Sequence, residues 1–161
     1  MTRVFGVIGD PISHSLSPVM HNAAFEALGI DALYTAFEVS PKQLRPVLRG
    51  LVACGIDGLS VTIPHKEAIV PLLDCCESDA KALGAVNTVV VRHGRTVGYN
   101  TDVDGFARAL KELGWRPGPC AAVILGAGGA ARAVAWALSR APGIRLTIAN
   151  RRLERARQLA R

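Results

Sequence analysis

Several stretches of this sequence place polar and charged side chains where strands give way to helices. The chemistry they offer is proton transfer and anion binding. In VTIPHK (residues 61–66) a lysine follows a proline in what reads as the first turn of a helix. The positive end of a helix dipole makes that position mildly unfavourable for a cation. Residue chemistry alone leaves Lys66 either a solvated ammonium or a proton donor, and His65 a packing or loop residue. SHSLSP (residues 13–18) sets hydroxyls just before a helix start, where free N–H groups favour an anion such as a carboxylate. There Ser17 doubles as an N-cap, whereas Ser15 has no such duty and is the better candidate for binding. GAVNT (84–88) and GYNTDVDG (98–105) put Asn87, Asp102 and Asp104 at element ends. The two acids there could equally serve the N-terminus of the next helix.

A second kind of site lies at VILGAGGAA (123–131), which reads as strand, GxGxxA, helix. Gly126 permits a tight turn, Gly128 lets the backbone approach a pyrophosphate, and Ala131 stands where the helix packs on the strand. A glycine pattern alone also marks ordinary strand–helix turns. The strand before it and the helix after it favour dinucleotide binding. The cofactor is chosen at the end of the next strand, where an NAD protein places Asp or Glu for the ribose 2′-hydroxyl. This chain has Ala149-Asn150-Arg151-Arg152, then Arg155. Guanidinium groups pair with a 2′-phosphate, so NADP is expected rather than NAD.

The elements that position these groups follow from hydrophobic periodicity. Residues 4–8, 32–39 and 59–63 read as strands, and helices follow Ser17-Pro18 and Ser40-Pro41, ending at Gly29 and near Gly55. Residues 88–92 and 96–99 flank Arg-His-Gly-Arg as a tight hairpin. A helix runs from Asp102 with Phe106, Leu110 and Leu113 on one face and Gly114 as its stop. After Pro117-Gly118-Pro119 come a strand (121–125), a helix (130–140), a strand (145–149) and a helix from Leu153. Strands alternating with helices imply an α/β fold with mainly parallel sheets. The prolines mark the expected boundary, with residues 1–116 as one domain and 117–161 as the first part of another. A mononucleotide-binding half should read βαβαβ, and βαβα is present, so the chain reads as the front part of a longer protein or a deliberately shortened one.

Composition narrows the function classes. The 161 residues are 50% hydrophobic and 20% charged, enough to bury a core. No uncharged run reaches the length of a membrane span, and the start lacks the pattern of a signal peptide. Cysteines 54, 75, 76 and 120 form no CxxC pair and suit reduced thiols in the cytoplasm, with no metal site expected. The net charge of +6 is local: residues 1–131 carry 11 Lys/Arg against 12 Asp/Glu, and residues 132–161 carry 8 Arg against Glu154. Trp136 is the one aromatic residue among those arginines, so neither a nucleic-acid nor a membrane partner is expected.

Taken together, GDPISHSLSPVMHNAAF, VTIPHK, GAVNTVV, GYNTDVDGF, GAGGAARA and NRRLERA resemble the shikimate dehydrogenase family in order and spacing. The resemblance runs from Val4 to Ala156. It implies a three-layer α/β substrate-binding domain followed by an incomplete Rossmann-type NADP domain. It also implies a cytoplasmic enzyme, monomeric or homodimeric, that reversibly reduces 3-dehydroshikimate to shikimate with NADPH in aromatic amino-acid biosynthesis. By that resemblance Ser15 and Ser17 bind the substrate carboxylate, and Thr62, Lys66, Asn87 and Asp102 bind its hydroxyls and ketone. Lys66 and Asp102 form the catalytic pair, with the sharing of the proton left open. Gly126, Ala127, Gly128, Gly129 and Ala130 hold the pyrophosphate, and Asn150, Arg151 and Arg155 the 2′-phosphate. Two departures stand out, Ser60 where the family often has Asn, and Arg152 where it usually has Thr. The alternatives are a shikimate-binding module without turnover and a dehydrogenase that prefers quinate.

Overall fold

The structure, a computed structural model, describes residues 1–116 and 118–161. Its chain divides into two compact units, Met1–Tyr99 and Asn100–Arg161. The first contains β1 (Arg3–Gly9), α1 (Ser17–Ala27), β2 (Ala32–Glu38), α2 (Leu44–Ala53) and β3 (Gly58–Val61). It continues through a 3-10 turn at Val70–Leu72, β4 (Cys75–Cys76), α3 (Ser78–Leu83), β5 (Thr88–Arg92) and β6 (Arg95–Tyr99). The second contains α4 (Asp102–Glu112), β7 (Cys120–Leu125), α5 (Gly129–Ser139), β8 (Ile144–Ala149) and α6 (Leu153–Leu159).

The six strands of the first unit form one sheet in the order β2-β1-β3-β5-β6-β4. β1 lies between β2 and β3 and is parallel to both. The sheet is mixed, with three of its five strand pairs parallel. β5 runs antiparallel to β3 and to β6, while β4 is parallel to β6. The hairpin fixes the β5–β6 pair, because two strands joined by a two-residue turn must be antiparallel. His93 and Gly94 both take positive φ, 51° and 74°, as a turn matched to strand twist requires.

Alternation along β1 builds the two faces. Val4 and Ile8 face the larger core with Val39, Leu44, Leu48, Leu59, Val61, Ile69, Val86 and Val89. Phe5 and Val7 face the smaller one with Ile12, Phe25 and Tyr34. Helix α2 covers the first face through Leu44 and Leu48, and α1 covers the second through Phe25, so the unit has three layers. Burying a side chain such as Ile8, 1% exposed, contributes roughly 1.5–3 kcal/mol. Helix α2 begins at Leu44, later than the Ser40-Pro41 signature indicated. Ser40 instead closes a turn: its hydroxyl donates to Gln43 Oε1 at 2.8 Å, and its carbonyl accepts from the Gln43 amide at 2.9 Å.

In the second unit β7 and β8 pair in parallel with α5 between them in the chain, the expected βαβα order. Helix α4 packs on α5 and belongs with this unit. The compact units therefore divide before α4. Of the proline-rich stretch expected as the boundary, Pro117 lies outside the described residues. Among the described residues no helix is long and apolar enough to cross a membrane.

Candidate active site

In open α/β sheets ligands bind beyond the carboxyl ends of the parallel strands. Here those ends are stitched together by backbone hydrogen bonds. The Val39 amide donates to Gly9 O, the Thr62 amide to Ile8 O, and the Asp10 amide to Ile63 O, each at 3.0 Å. Gly9 is tightly enclosed: a Cβ there would stand 2.6 Å from Thr62 Cγ2 and 2.9 Å from Ile12 Cδ1. Thr62, half-buried, thus emerges beside the loop that leaves β1.

Lys66 is half-buried and lies in a run of turns rather than the first turn of a helix. The backbone bonds there include those from the His65 amide to Thr62 O at 2.8 Å and from the Ile69 amide to His65 O at 2.9 Å. Prolines 64 and 71 explain the interruption, since each lacks an N–H and restricts the residue before it. The helix-dipole argument about Lys66 therefore does not apply. Its carbonyl accepts from the Val86 amide at 2.8 Å, which places Lys66 next to the segment carrying Asn87. Asn87 bridges two strands through its backbone, accepting from Val61 at 2.7 Å and donating to Tyr99 O at 3.0 Å. Its Oδ1 accepts from the Thr88 hydroxyl at 3.0 Å.

Among the serines, the capping roles are the reverse of those expected. Helix α1 begins at Ser17 itself, and Leu16 occupies the cap position. Ser15 Oγ accepts from the Ser17 amide at 3.3 Å, so Ser15 carries the helix-end duty expected of Ser17. The cause is one residue of register, with Pro18 inside the first turn as expected. Ser15, Ser17, Thr62, Lys66 and Asn87 all sit on segments that leave the first unit's sheet around the ends of β1, β3 and β5. Asp102 belongs to the second unit, half-buried in the first turn of α4 with the exposed Asp104. Its amide donates to Asn100 Oδ1 at 3.0 Å, so Asn100 supplies an acceptor at that helix start.

Two further groups support the sheet edge. His65, expected as a packing residue, is wholly buried, and its Nε2 is hydrogen-bonded to the Val39 carbonyl. The Tyr34 hydroxyl donates to Ser60 Oγ at 2.8 Å. Burial pushes the Tyr34 hydroxyl up in pKa, and the Ser60 bond opposes that shift. Asn22 clamps the same residue on the edge strand, accepting from the Tyr34 amide at 2.8 Å and donating to its carbonyl at 2.9 Å. No local pattern marks Asn22, because its partners lie in another element.

In the second unit the glycine turn has the geometry its sequence requires. Gly126 takes φ +115°, a backbone conformation that side chains disfavour, and its amide donates to Ala149 O at 2.8 Å. Added Cβ atoms at Gly126 or Gly128 would meet nothing within 4 Å, so the turn is open on its outer side. Gly128 is extended, α5 starts at Gly129, and no acid stands in its first turn. Arg151, Arg152 and Arg155 are exposed beyond β8. The Asn150 side-chain amide donates to Arg152 O at 2.8 Å, which shapes that turn. An open glycine turn at a helix start with arginines at the next strand end fits a dinucleotide bearing a 2′-phosphate.

A substrate-type α/β unit followed by a dinucleotide-binding βαβα unit is the plan of the two-domain dehydrogenases. A family model for the shikimate dehydrogenase substrate binding domain matches residues 7–89. The shikimate dehydrogenase (NADP(+)) of Symbiobacterium thermophilum is 53% identical over 158 residues, which are 98% of this chain and 54% of that protein. A crystal structure of a shikimate dehydrogenase in complex with NADP+ superposes with a TM-score of 0.90 at 48% identity, over 99% of this chain and 55% of the other. The shikimate 5-dehydrogenase of Thermus thermophilus, in complex with NADP(H) and shikimate, gives 0.88 at 42% identity, over 99% and 60%. The chain belongs to the shikimate dehydrogenase family, and it spans about half the length of the curated relatives it matches.

Proposed function

We propose that this chain carries the substrate-binding part and the first cofactor-binding part of an NADP-dependent shikimate dehydrogenase. The protein would interconvert 3-dehydroshikimate and shikimate, as a soluble enzyme of the cytoplasm. The observation that carries this reading is the juxtaposition of Thr62, Lys66 and Asn87 beside the ends of β3 and β5, with the Lys66 carbonyl bonded to the Val86 amide.

Ser15 and Ser17, at the start of α1, hold the substrate carboxylate, and Thr62 and Asn87 fix ring hydroxyls. Gly126–Ala130 would hold the pyrophosphate of NADPH, and Arg151, Arg155 and Asn150 its 2′-phosphate; the cofactor would supply a hydride. Negative charge then builds on the ketone oxygen, where the Lys66 ammonium stabilises it and delivers a proton. Asp102 is the second member of the proton-transfer pair. The arginines beyond β8, with no acid at residues 149–152, support NADP over NAD.

The test couples binding to turnover. Calorimetry with shikimate on this chain, followed by absorbance assay of NADP+ reduction, separates an enzyme from a binding module. In a chain extended to the length of its relatives, Lys66→Ala should cut kcat by at least about 100-fold with little loss of stability. Wild-type rates in that variant would remove Lys66 from the chemistry, and a higher kcat/KM on quinate would change the substrate.

A further inference from the structure

Bonds to other segments hold the turn from Thr62 to Lys66. Three run between backbones: the Thr62 amide donates to Ile8 O at 3.0 Å, Ile63 O accepts from the Asp10 amide at 3.0 Å, and the Lys66 carbonyl accepts from Val86 at 2.8 Å. Another is made by a side chain. His65, 0% exposed, reaches the carbonyl of Val39 at the end of β2 through Nε2. Backbone bonds survive almost any substitution, so the placement of this turn against β2 depends on what stands at position 65.

The chemistry of that bond fixes the ring. A carbonyl oxygen only accepts, so Nε2 carries the proton and Nδ1 is left with a lone pair. Nδ1 is buried and has no hydrogen-bond partner among the described residues. An acceptor buried in that way costs free energy, and an apolar ring of similar volume would fill the space without that cost. The imidazole therefore contributes something that packing alone does not, and the bond to Val39 is what it makes.

We propose that His65 is a positioning residue for Lys66: its Nε2–H bond to the Val39 carbonyl sets the turn from which the Lys66 ammonium reaches the substrate's oxygen. The inference rests on the assignment of Lys66 to proton transfer. His65 touches no reacting atom in this scheme. It acts through the backbone it shares with Lys66, the next residue in the chain.

The test uses this chain with His65→Phe, which keeps an aromatic ring and deletes the bond, and His65→Gln, whose amide N–H can still reach Val39. The imidazole nitrogen resonances should show the proton on Nε2. His65→Phe should shift the Lys66 side-chain resonances in the free protein and weaken shikimate binding about tenfold, the scale of one hydrogen bond. His65→Gln should restore both. The proposal is overturned by a proton on Nδ1, by wild-type Lys66 resonances in a folded His65→Phe protein, or by a glutamine variant as impaired as the phenylalanine one. Should His65→Phe not fold, the tautomer and the glutamine variant decide. Should the wild-type chain bind no shikimate, the substrate assignment fails, and the Lys66 resonances still report on positioning.

Discussion

The amide of Val86 donates to the carbonyl of Lys66 at 2.8 Å, and this bond ties together two segments that lie 20 positions apart in the chain. Val86 is itself fully buried, so the bond is shielded from competing water. The residue after it, Asn87, is held on both sides by backbone bonds to Val61 and Tyr99. The ammonium and the carboxamide assigned to substrate thus stand on one rigid piece of main chain. Positioned groups of this kind are what allow a site to favour charge that develops during reaction.

That rigidity makes Gly9 sensitive to substitution. In Gly9→Ala the new methyl would stand 2.6 Å from Thr62 Cγ2, 2.9 Å from Ile12 Cδ1 and 3.1 Å from Ile63 O. The last of these is backbone and cannot swing aside. Overpacking of this sort costs about 1–3 kcal/mol, and Thr62 must move with it. Urea unfolding should show the loss, and calorimetry should show weaker shikimate binding in the folded variant. Unchanged stability and affinity would mean that the β1 and β3 ends are not fixed as described.

Cofactor choice is tested at Arg151. If its guanidinium meets a 2′-phosphate, Arg151→Ala should weaken NADP+ binding by roughly 10- to 100-fold, as expected for a charge-assisted bond. NAD+, which lacks that phosphate, should bind as before. Calorimetric titration of both nucleotides reads the difference. An equal loss for the two would assign Arg151 to general electrostatic attraction.

Acid stability should depend on Asp74. The Thr96 amide donates to its Oδ2 at 2.7 Å and the Thr96 hydroxyl at 2.8 Å, and these bonds hold the carboxyl below its ordinary value of 3.8. A carboxyl whose pKa is depressed by folding adds stability above its unfolded pKa. That stability disappears as the pH falls through the folded value. The stability gap between wild type and Asp74→Asn should therefore be constant near neutrality and narrow below about pH 3.8. Urea titrations at a series of pH values measure it, and a gap independent of pH would show that the ionised form is not favoured by folding.

Much of the molecule was legible as sequence because the signals were local. The periods of the strands, the two-residue hairpin and the glycine turn each depend on residues a few positions apart. The βαβα order, the tight hairpin turn at His93-Gly94 and the turn at Gly126 followed accordingly. Several candidate site residues stood out the same way, as polar groups at the ends of elements, while Thr62 and the individual roles came from the family resemblance.

What the sequence by itself determined, then, was which residues form strands and turns and which side chains stand at their ends. Tertiary structure alone decided how those ends meet. The antiparallel placement of β5 on β3, the two-residue strand at Cys75–Cys76 and the clamp of Asn22 on Tyr34 all join residues distant in the chain. So does the bond from the Val86 amide to the Lys66 carbonyl, made where the turns around Pro64 and Pro71 stand in place of a helix. The same holds for the burial of His65 against Val39. The physical reason is common to all of them. A hydrogen bond or buried contact between distant residues is selected by the energy of the whole packed sheet, and no short window of sequence contains both partners.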